Sequence, residues 1–255
     1  KIIKKKFLKK NKIYKYFLNS SEPFFYPENV ISDLKKEDIL DVGFSGLVIK
    51  IINIKKKFFK FKVLREGFVE NNKGIHLVNR KIKLPFLTKK DLEAIKLAKK
   101  YNIKNFALSF TNNVDDIKKF SNILNKENKI YKIETKEAIN NLEEIIKLGE
   151  MFIIDRGDLS KEILVEKIPA AQRKIIRMGK KYKKQIYVAT NFLESMVINN
   201  YPHRGEINDI YSTLEQGASG LVLAAETAIG KYPKECVALL EKVKIEYLLN
   251  EKKIK

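Results

Sequence analysis

At 255 residues, with 44% hydrophobic and 33% charged content, the chain can bury the core of one large α/β domain, or of a medium domain plus a small one. It holds no apolar run of about eighteen residues or more, so no helix is expected to span a membrane, and Lys1 to Lys6 lack the apolar core and cleavage site of a secretory signal. Cys236 is the only cysteine, which excludes an internal disulfide and suits a reducing cytoplasm, while the net charge of +21 comes from lysines spread over nearly every segment, so a nucleic-acid partner is not expected.

Residues 1–84 read as a small β-rich module. Gly46 to Ile54 and Phe58 to Leu64 are short runs of β-branched and aromatic residues bounded by charged or turn-forming ones. From residue 85 the rhythm becomes strand then helix, and residues 85–250 form a second region. Thr88 caps a helix over 89–99 with apolar positions at three- and four-residue spacing. Strands are expected at 105–110, 129–134, 151–155, 185–190 and 220–225. The intervening and following helices are expected at 114–124, 135–148, 170–182, 207–216 and 233–247. Strands that alternate with helices pack as a parallel sheet, so the fold class is α/β.

The strand ends are unusually polar. Lys132-Ile133-Glu134 closes one strand, Asp155-Arg156-Gly157-Asp158 follows the next, and Ala189-Thr190 and Ala225-Glu226-Thr227 follow two more. Polar groups gathered at the carboxyl ends of successive parallel strands are how a (β/α)8 barrel builds an active site, which points to an enzyme. About five βα units are present, too few for a closed TIM-type barrel, so the expectation is an incomplete one whose amino-terminal strands are absent from this chain. Strand alternation puts Lys132 and Glu134 on one face. Taken alone the pair would read as a surface ion pair; Arg156-Gly157-Asp158 does not read as an adhesion tripeptide, because it follows a buried strand in a chain without secretory features. His76 and His203 read as loop residues, and Cys236 as a packed helix residue.

Residues 85 to 240 resemble the second half of a pyruvate kinase barrel. The resemblance rests on Ser109-Phe110, Lys132-Ile133-Glu134, Arg156 to Leu159, and Glu166-Lys167-Ile168-Pro169 before Gln172. It continues through Ala189-Thr190-Asn191-Phe192-Leu193-Glu194-Ser195-Met196, Pro202-His203-Arg204-Gly205-Glu206-Ile207-Asn208-Asp209 and Ala224 to Pro233. The order of these motifs makes the resemblance specific. The amino-terminal module is similar to the family's inserted lid, with Asn72-Lys73-Gly74-Ile75-His76-Leu77 as the return segment. At Gly43-Phe44-Ser45-Gly46 the family's acidic turn has lost both acids.

What the resemblance implies is a Mg²⁺-dependent phosphotransferase that moves the phosphoryl group of phosphoenolpyruvate to ADP, giving pyruvate and ATP in glycolysis. Glu134 and Asp158, on neighbouring strand ends, are the implied Mg²⁺ ligands. Lys132 and Thr190 are the implied catalytic groups, and Gly157, Asp158 and Thr190 the implied substrate contacts. Ser109, Phe110, Arg156, Glu194, Arg204 and Glu226, with Glu206 and Thr227, are implied to position the others. K⁺ is implied too, but its site belongs to strands with no counterpart here. The expected location is cytoplasmic, with no membrane partner, and homo-oligomers stay open. Two alternatives remain: a Mg²⁺-dependent lyase or aldolase acting on a pyruvate enolate, and a noncatalytic remnant that binds nucleic acid or a larger assembly.

Overall fold

A computed structural model describes residues 6–18, 24–26, 30–43, 46–70, 73–80, 82 and 84–254. Phe44 and Ser45 of the altered turn, and Asn72 of the return segment, lie outside the described residues. Two compact units divide the chain, residues 1–95 and 96–255.

Among the described residues of the first unit, a short helix α1 (Val30–Asp33) accompanies seven strands: β1 (Lys6–Leu8), β2 (Ile13–Phe17), β3 (Ile39–Val42), β4 (Leu47–Lys55), β5 (Phe58–Arg65), β6 (Gly67–Val69) and β7 (Ile75–Leu77). Five of them make an antiparallel sheet in the order β2-β5-β4-β3-β7, and β1 pairs with β6. The two-residue side-chain period sets the layers. Phe59, Phe61 and Val63 of β5 are buried with Leu47, Ile49 and Ile51 of β4, while Phe58, Lys60 and Lys62 turn the other way. Gly67 has no room for a side chain, because a Cβ there would stand 2.8 Å from the Leu47 backbone nitrogen. Arg80 closes this unit with a fork onto buried Asp38, Nε to Oδ1 at 2.7 Å and Nη2 to Oδ2 at 2.6 Å.

After α2 (Lys89–Lys100), the second unit alternates β8 (Asn105–Leu108), α3 (Val114–Ile123), β9 (Asn128–Ile133), α4 (Lys136–Asn140), α5 (Leu142–Leu148) and β10 (Met151–Asp155). It continues with α6 (Arg156–Glu162), α7 (Ile168–Lys181), β11 (Gln185–Ala189), α8 (Arg204–Glu215), β12 (Gly220–Val222), α9 (Ala225–Ala228) and α10 (Pro233–Ile254). Its five strands form a wholly parallel sheet in the order β12-β11-β10-β9-β8. Tyr131, Ile133, Phe152, Ile154, Ile186 and Val188 are all at most 2% exposed. The opposite face, with Ile130, Lys132, Ile153 and Tyr187, is only half-buried. On α7, Ile168, Gln172, Ile175, Ile176 and Gly179 make one buried stripe at helical spacing. Gly179 is required by contact, since a Cβ would meet Ile186 Cγ1 at 2.2 Å.

Several boundaries differ from those expected. The helix foreseen over 135–148 breaks at Asn141, whose Nδ2 donates to the Asn112 carbonyl at 2.9 Å. Helix α8 begins three residues early, at Arg204, because Glu206 Oε2 accepts the His203 N–H at 2.8 Å and caps the turn. Strand β12 ends at Val222, and α6 had not been foreseen as a full helix. Cys236 is buried on α10. Among the described residues no helix is long and apolar enough to cross a membrane.

Candidate active site

Strand register assembles the centre of the site. Ile153 of β10 lies opposite Lys132 of β9, so Asp155 at the end of β10 comes level with Glu134, the first residue past β9. Lys132 Nζ lies 2.9 Å from Glu134 Oε2 and 2.8 Å from Asp155 Oδ2. Glu134 is fully buried, and its Oε1 accepts the Phe110 N–H at 2.5 Å. Phe110 reaches that position with a φ of 54°, a left-handed conformation uncommon for a bulky residue. This is how the Ser109-Phe110 pair enters the site: Phe110 by its backbone, with its ring exposed, and Ser109 exposed beside it.

One ammonium serves two carboxylates. Burial holds the Glu134 carboxyl above its ordinary range, the Asp155 charge adds to the rise, and Lys132 and the Phe110 N–H oppose it. For Lys132 burial works against the charged form. The Glu134 charge, with the close ion-pair contacts to Asp155 and Glu134, outweighs it, and its pKa is raised.

Asp158 stands one turn further on, in the first turn of α6 rather than on a strand end. The acid at the strand end is Asp155, which caps α6 by accepting the Asp158 N–H at 3.3 Å. Asp158 Oδ1 in turn meets Lys161 Nζ at 2.7 Å. Carboxylate oxygens of Glu134, Asp155 and Asp158 lie within 4.8 Å of one another. With Lys132 and Lys161 the cluster carries three negative and two positive charges. Glu134 Oε2 is buried and receives no hydrogen bond of good geometry among the described residues; it meets only the charge of Lys132. An all-oxygen donor set with surplus negative charge fits a hard divalent cation such as Mg²⁺.

Thr190 follows β11 with a φ of 73°, and Asn191 with 59°. Its hydroxyl accepts the Gly157 N–H at 2.9 Å and donates to the Ala189 carbonyl at 2.6 Å. A Cβ on Gly157 would fall 3.4 Å from Asp155 Oδ1 and 3.5 Å from Thr190 Oγ1, so glycine keeps a cradle open between these two groups. Arg156 turns away from the carboxylates. Its Nε donates to the Thr190 carbonyl at 3.1 Å, Nη2 donates to the same oxygen, Nη1 pairs with Asp209 Oδ2 at 2.6 Å, and the guanidinium lies 4.3 Å above the Phe192 ring.

The remaining expected residues sit in the supporting frame. Buried Glu226 accepts the Leu193 N–H at 3.3 Å and the Ala224 N–H at 2.7 Å, tying the β12 end to the segment after β11. Glu194 accepts Asn191 Nδ2 at 2.6 Å, and Arg204 stands exposed at the start of α8. Asp155, Lys161 and Asp209 were not singled out from sequence. Only Asp155 carried a readable signal, its place among the polar strand ends, where no role was given to it.

Residues 23–237 match the family described as "Pyruvate kinase, barrel domain". A pyruvate kinase of Thermotoga maritima is 37% identical over 215 residues, covering 83% of this chain and 46% of the relative. One from Staphylococcus aureus (strain MRSA252) is 34% identical over 224 residues, covering 86% of this chain and 38% of the relative. The chain therefore belongs to the pyruvate kinase family. It spans less than half the length of these curated relatives.

Proposed function

We propose that this chain carries the acidic and lysine half of a pyruvate kinase active site, in which a phosphoryl group passes from phosphoenolpyruvate to ADP. The observation that carries the reading is Lys132 bridging Glu134 and Asp155, with Asp158 in the same cluster, at the carboxyl edge of a parallel sheet. Supporting it are the family membership and the half-exposed face opposite the helix-covered one, which suits the interior of a TIM-type barrel with about five of its βα units in this chain. On this reading residues 1–84 are the lid-like module and 85–250 the barrel portion.

Mg²⁺ held by Glu134 and Asp158 would supply charge neutralisation for the phosphoryl group and the enolate. The chain's own residues do the rest. The Lys132 ammonium stabilises negative charge as the bond from phosphorus to the enol oxygen breaks and the bond to the terminal ADP oxygen forms. Gly157, Asp158 and Thr190 cradle the substrate carboxylate, the backbone N–H groups exchanging their internal partners for it. The Thr190 hydroxyl, which now donates to the Ala189 carbonyl, would turn to the substrate carboxylate or to a water that delivers its proton to the enolate carbon. Arg156 and Glu226 hold the Thr190 and Ala224 segments in place. A K⁺ site would rest on strands with no counterpart here, homo-oligomers stay open, and a cytoplasmic location accords with a lone buried cysteine.

A coupled assay for pyruvate, run on the complete protein with phosphoenolpyruvate and ADP, tests this. Pyruvate should form only with a divalent cation. No turnover in the complete protein, with Mg²⁺ and K⁺ both supplied, refutes the reading.

A further inference from the structure

The geometry of Lys132 raises a conflict with any divalent cation. Glu134 has two oxygens: Oε1 accepts the Phe110 N–H at 2.5 Å, while buried Oε2 accepts no hydrogen bond of good geometry among the described residues. Oε2 is the oxygen open to a metal, and the Lys132 ammonium stands 2.9 Å from it, a like charge against any cation that binds there. The same ammonium lies 2.8 Å from Asp155 Oδ2, while Asp155 Oδ1 is engaged with the Asp158 N–H. The α6 cap therefore orients Asp155 so that Oδ2 faces Lys132.

We propose that the Lys132 ammonium is the resident cation of the metal-free site, and that Asp155 is the positioning residue that keeps hold of it when a divalent ion takes Glu134 Oε2 and Asp158. The inference rests on the metal reading of Glu134 and Asp158 and adds a role for Asp155 that the reading does not need. Lys132 and the metal compete for one oxygen. Asp155 lets both stay: the ammonium gives up Glu134, remains paired, and stays beside the metal with its charge directed to the reacting group. Without Asp155 the ammonium has only Glu134, and the competition is settled against the metal.

The test is calorimetric titration of Mn²⁺ into the 255-residue chain at fixed pH. If the arrangement with Lys132 off Glu134 makes up about a tenth of the metal-free population, Lys132→Gln should tighten Mn²⁺ binding roughly tenfold, since apparent affinity scales with the competent fraction. General repulsion between Lys132 and the metal would also tighten it, so the deciding quantity is a double-mutant cycle with Asp155→Asn. Asp155→Asn should cost at least about tenfold more affinity with Lys132 present than after Lys132→Gln, because only then is there an ammonium to receive. Equal losses in the two backgrounds overturn the inference, as does unchanged or weakened binding in Lys132→Gln. Asp158→Asn and Glu134→Gln separate the two levels: Mn²⁺ binding indifferent to both refutes the metal reading itself. Binding abolished by them but without coupling between Lys132 and Asp155 refutes only the proposal. No binding in either the parent chain or Lys132→Gln overturns both. Circular dichroism checks folding, and Lys132→Met, which keeps the aliphatic stem, replaces any glutamine variant that does not fold.

Discussion

Arg156→Lys keeps the charge and removes the fork, and the structure allows its cost to be worked out. The guanidinium makes two hydrogen bonds to the Thr190 carbonyl, pairs with Asp209 Oδ2 at 2.6 Å and stacks 4.3 Å above Phe192. An ammonium can keep one of these polar contacts but cannot reach the carbonyl and Asp209 in the same plane. Losing a charge-assisted hydrogen bond to this half-buried carbonyl costs about 1.5–3 kcal/mol. The stacking adds about 0.5–1 kcal/mol. The Asp209 pair contributes no more than about 1 kcal/mol, since the Asp209 side chain is 36% exposed and screened. A net loss of about 3 kcal/mol corresponds to a melting temperature lower by about 6–12 °C for a unit of this size. Thermal unfolding followed at 222 nm reports the helical second unit, where nearly all the helix lies. Asp209→Asn, which removes only the outer contact, should shift it by no more than about 4 °C. If Arg156→Lys melts within a degree of the parent chain, Arg156 is not the strut that holds the Thr190 segment, and its placement here is wrong.

Other expectations follow from the same site. Glu134→Gln keeps the volume and the Phe110 contact while Lys132 retains Asp155, so stability should change by no more than about 1 kcal/mol, whereas a lost direct ligand should weaken Mn²⁺ binding by more than about 100-fold. Retained affinity measured by titration would remove Glu134 from the metal site. Lys132→Met in the complete protein should lower kcat far more than it raises KM, because an ammonium acting on developing charge contributes chiefly in the transition state; a change in KM alone would make Lys132 a binding group. On the surface, a hydrogen bond from Tyr182, with Lys181 and Lys147 adding to it, lowers the Glu143 carboxyl from 4.5 to about 2. A carboxyl depressed by folding stabilises above its unfolded pKa and loses that contribution as pH falls from about 4.5 to about 2. Glu143→Gln should therefore flatten the acid limb of urea unfolding in that window, by a small amount for so exposed a group; parallel limbs would count against the Tyr182 contact.

The central strands of the second unit were legible as short, mostly apolar runs between polar boundaries: Met151 to Asp155 is bounded by Glu150 and Arg156, and Gln185 to Ala189 by Lys184 and Thr190. The two-residue period was enough to put Lys132 and Glu134 on one face, and their pairing at 2.9 Å needs no partner from elsewhere in the chain. Groups whose partners lie far along the chain were not legible. Asp155 became part of the cluster only through the register of β10 on β9, which local composition does not specify. Arg156 finds Asp209, which is 53 residues away, and Asn141 breaks a helix by reaching Asn112, which is 29 residues away. The left-handed backbone at Phe110 and Thr190 is likewise held from outside, by Glu134 for the one and by Gly157 and Arg156 for the other. Periodicity is a local property of the chain, so the sequence by itself determined which residues could line the site; which oxygen each cation holds depends on neighbours brought together only by the fold, and the tertiary structure alone decided it.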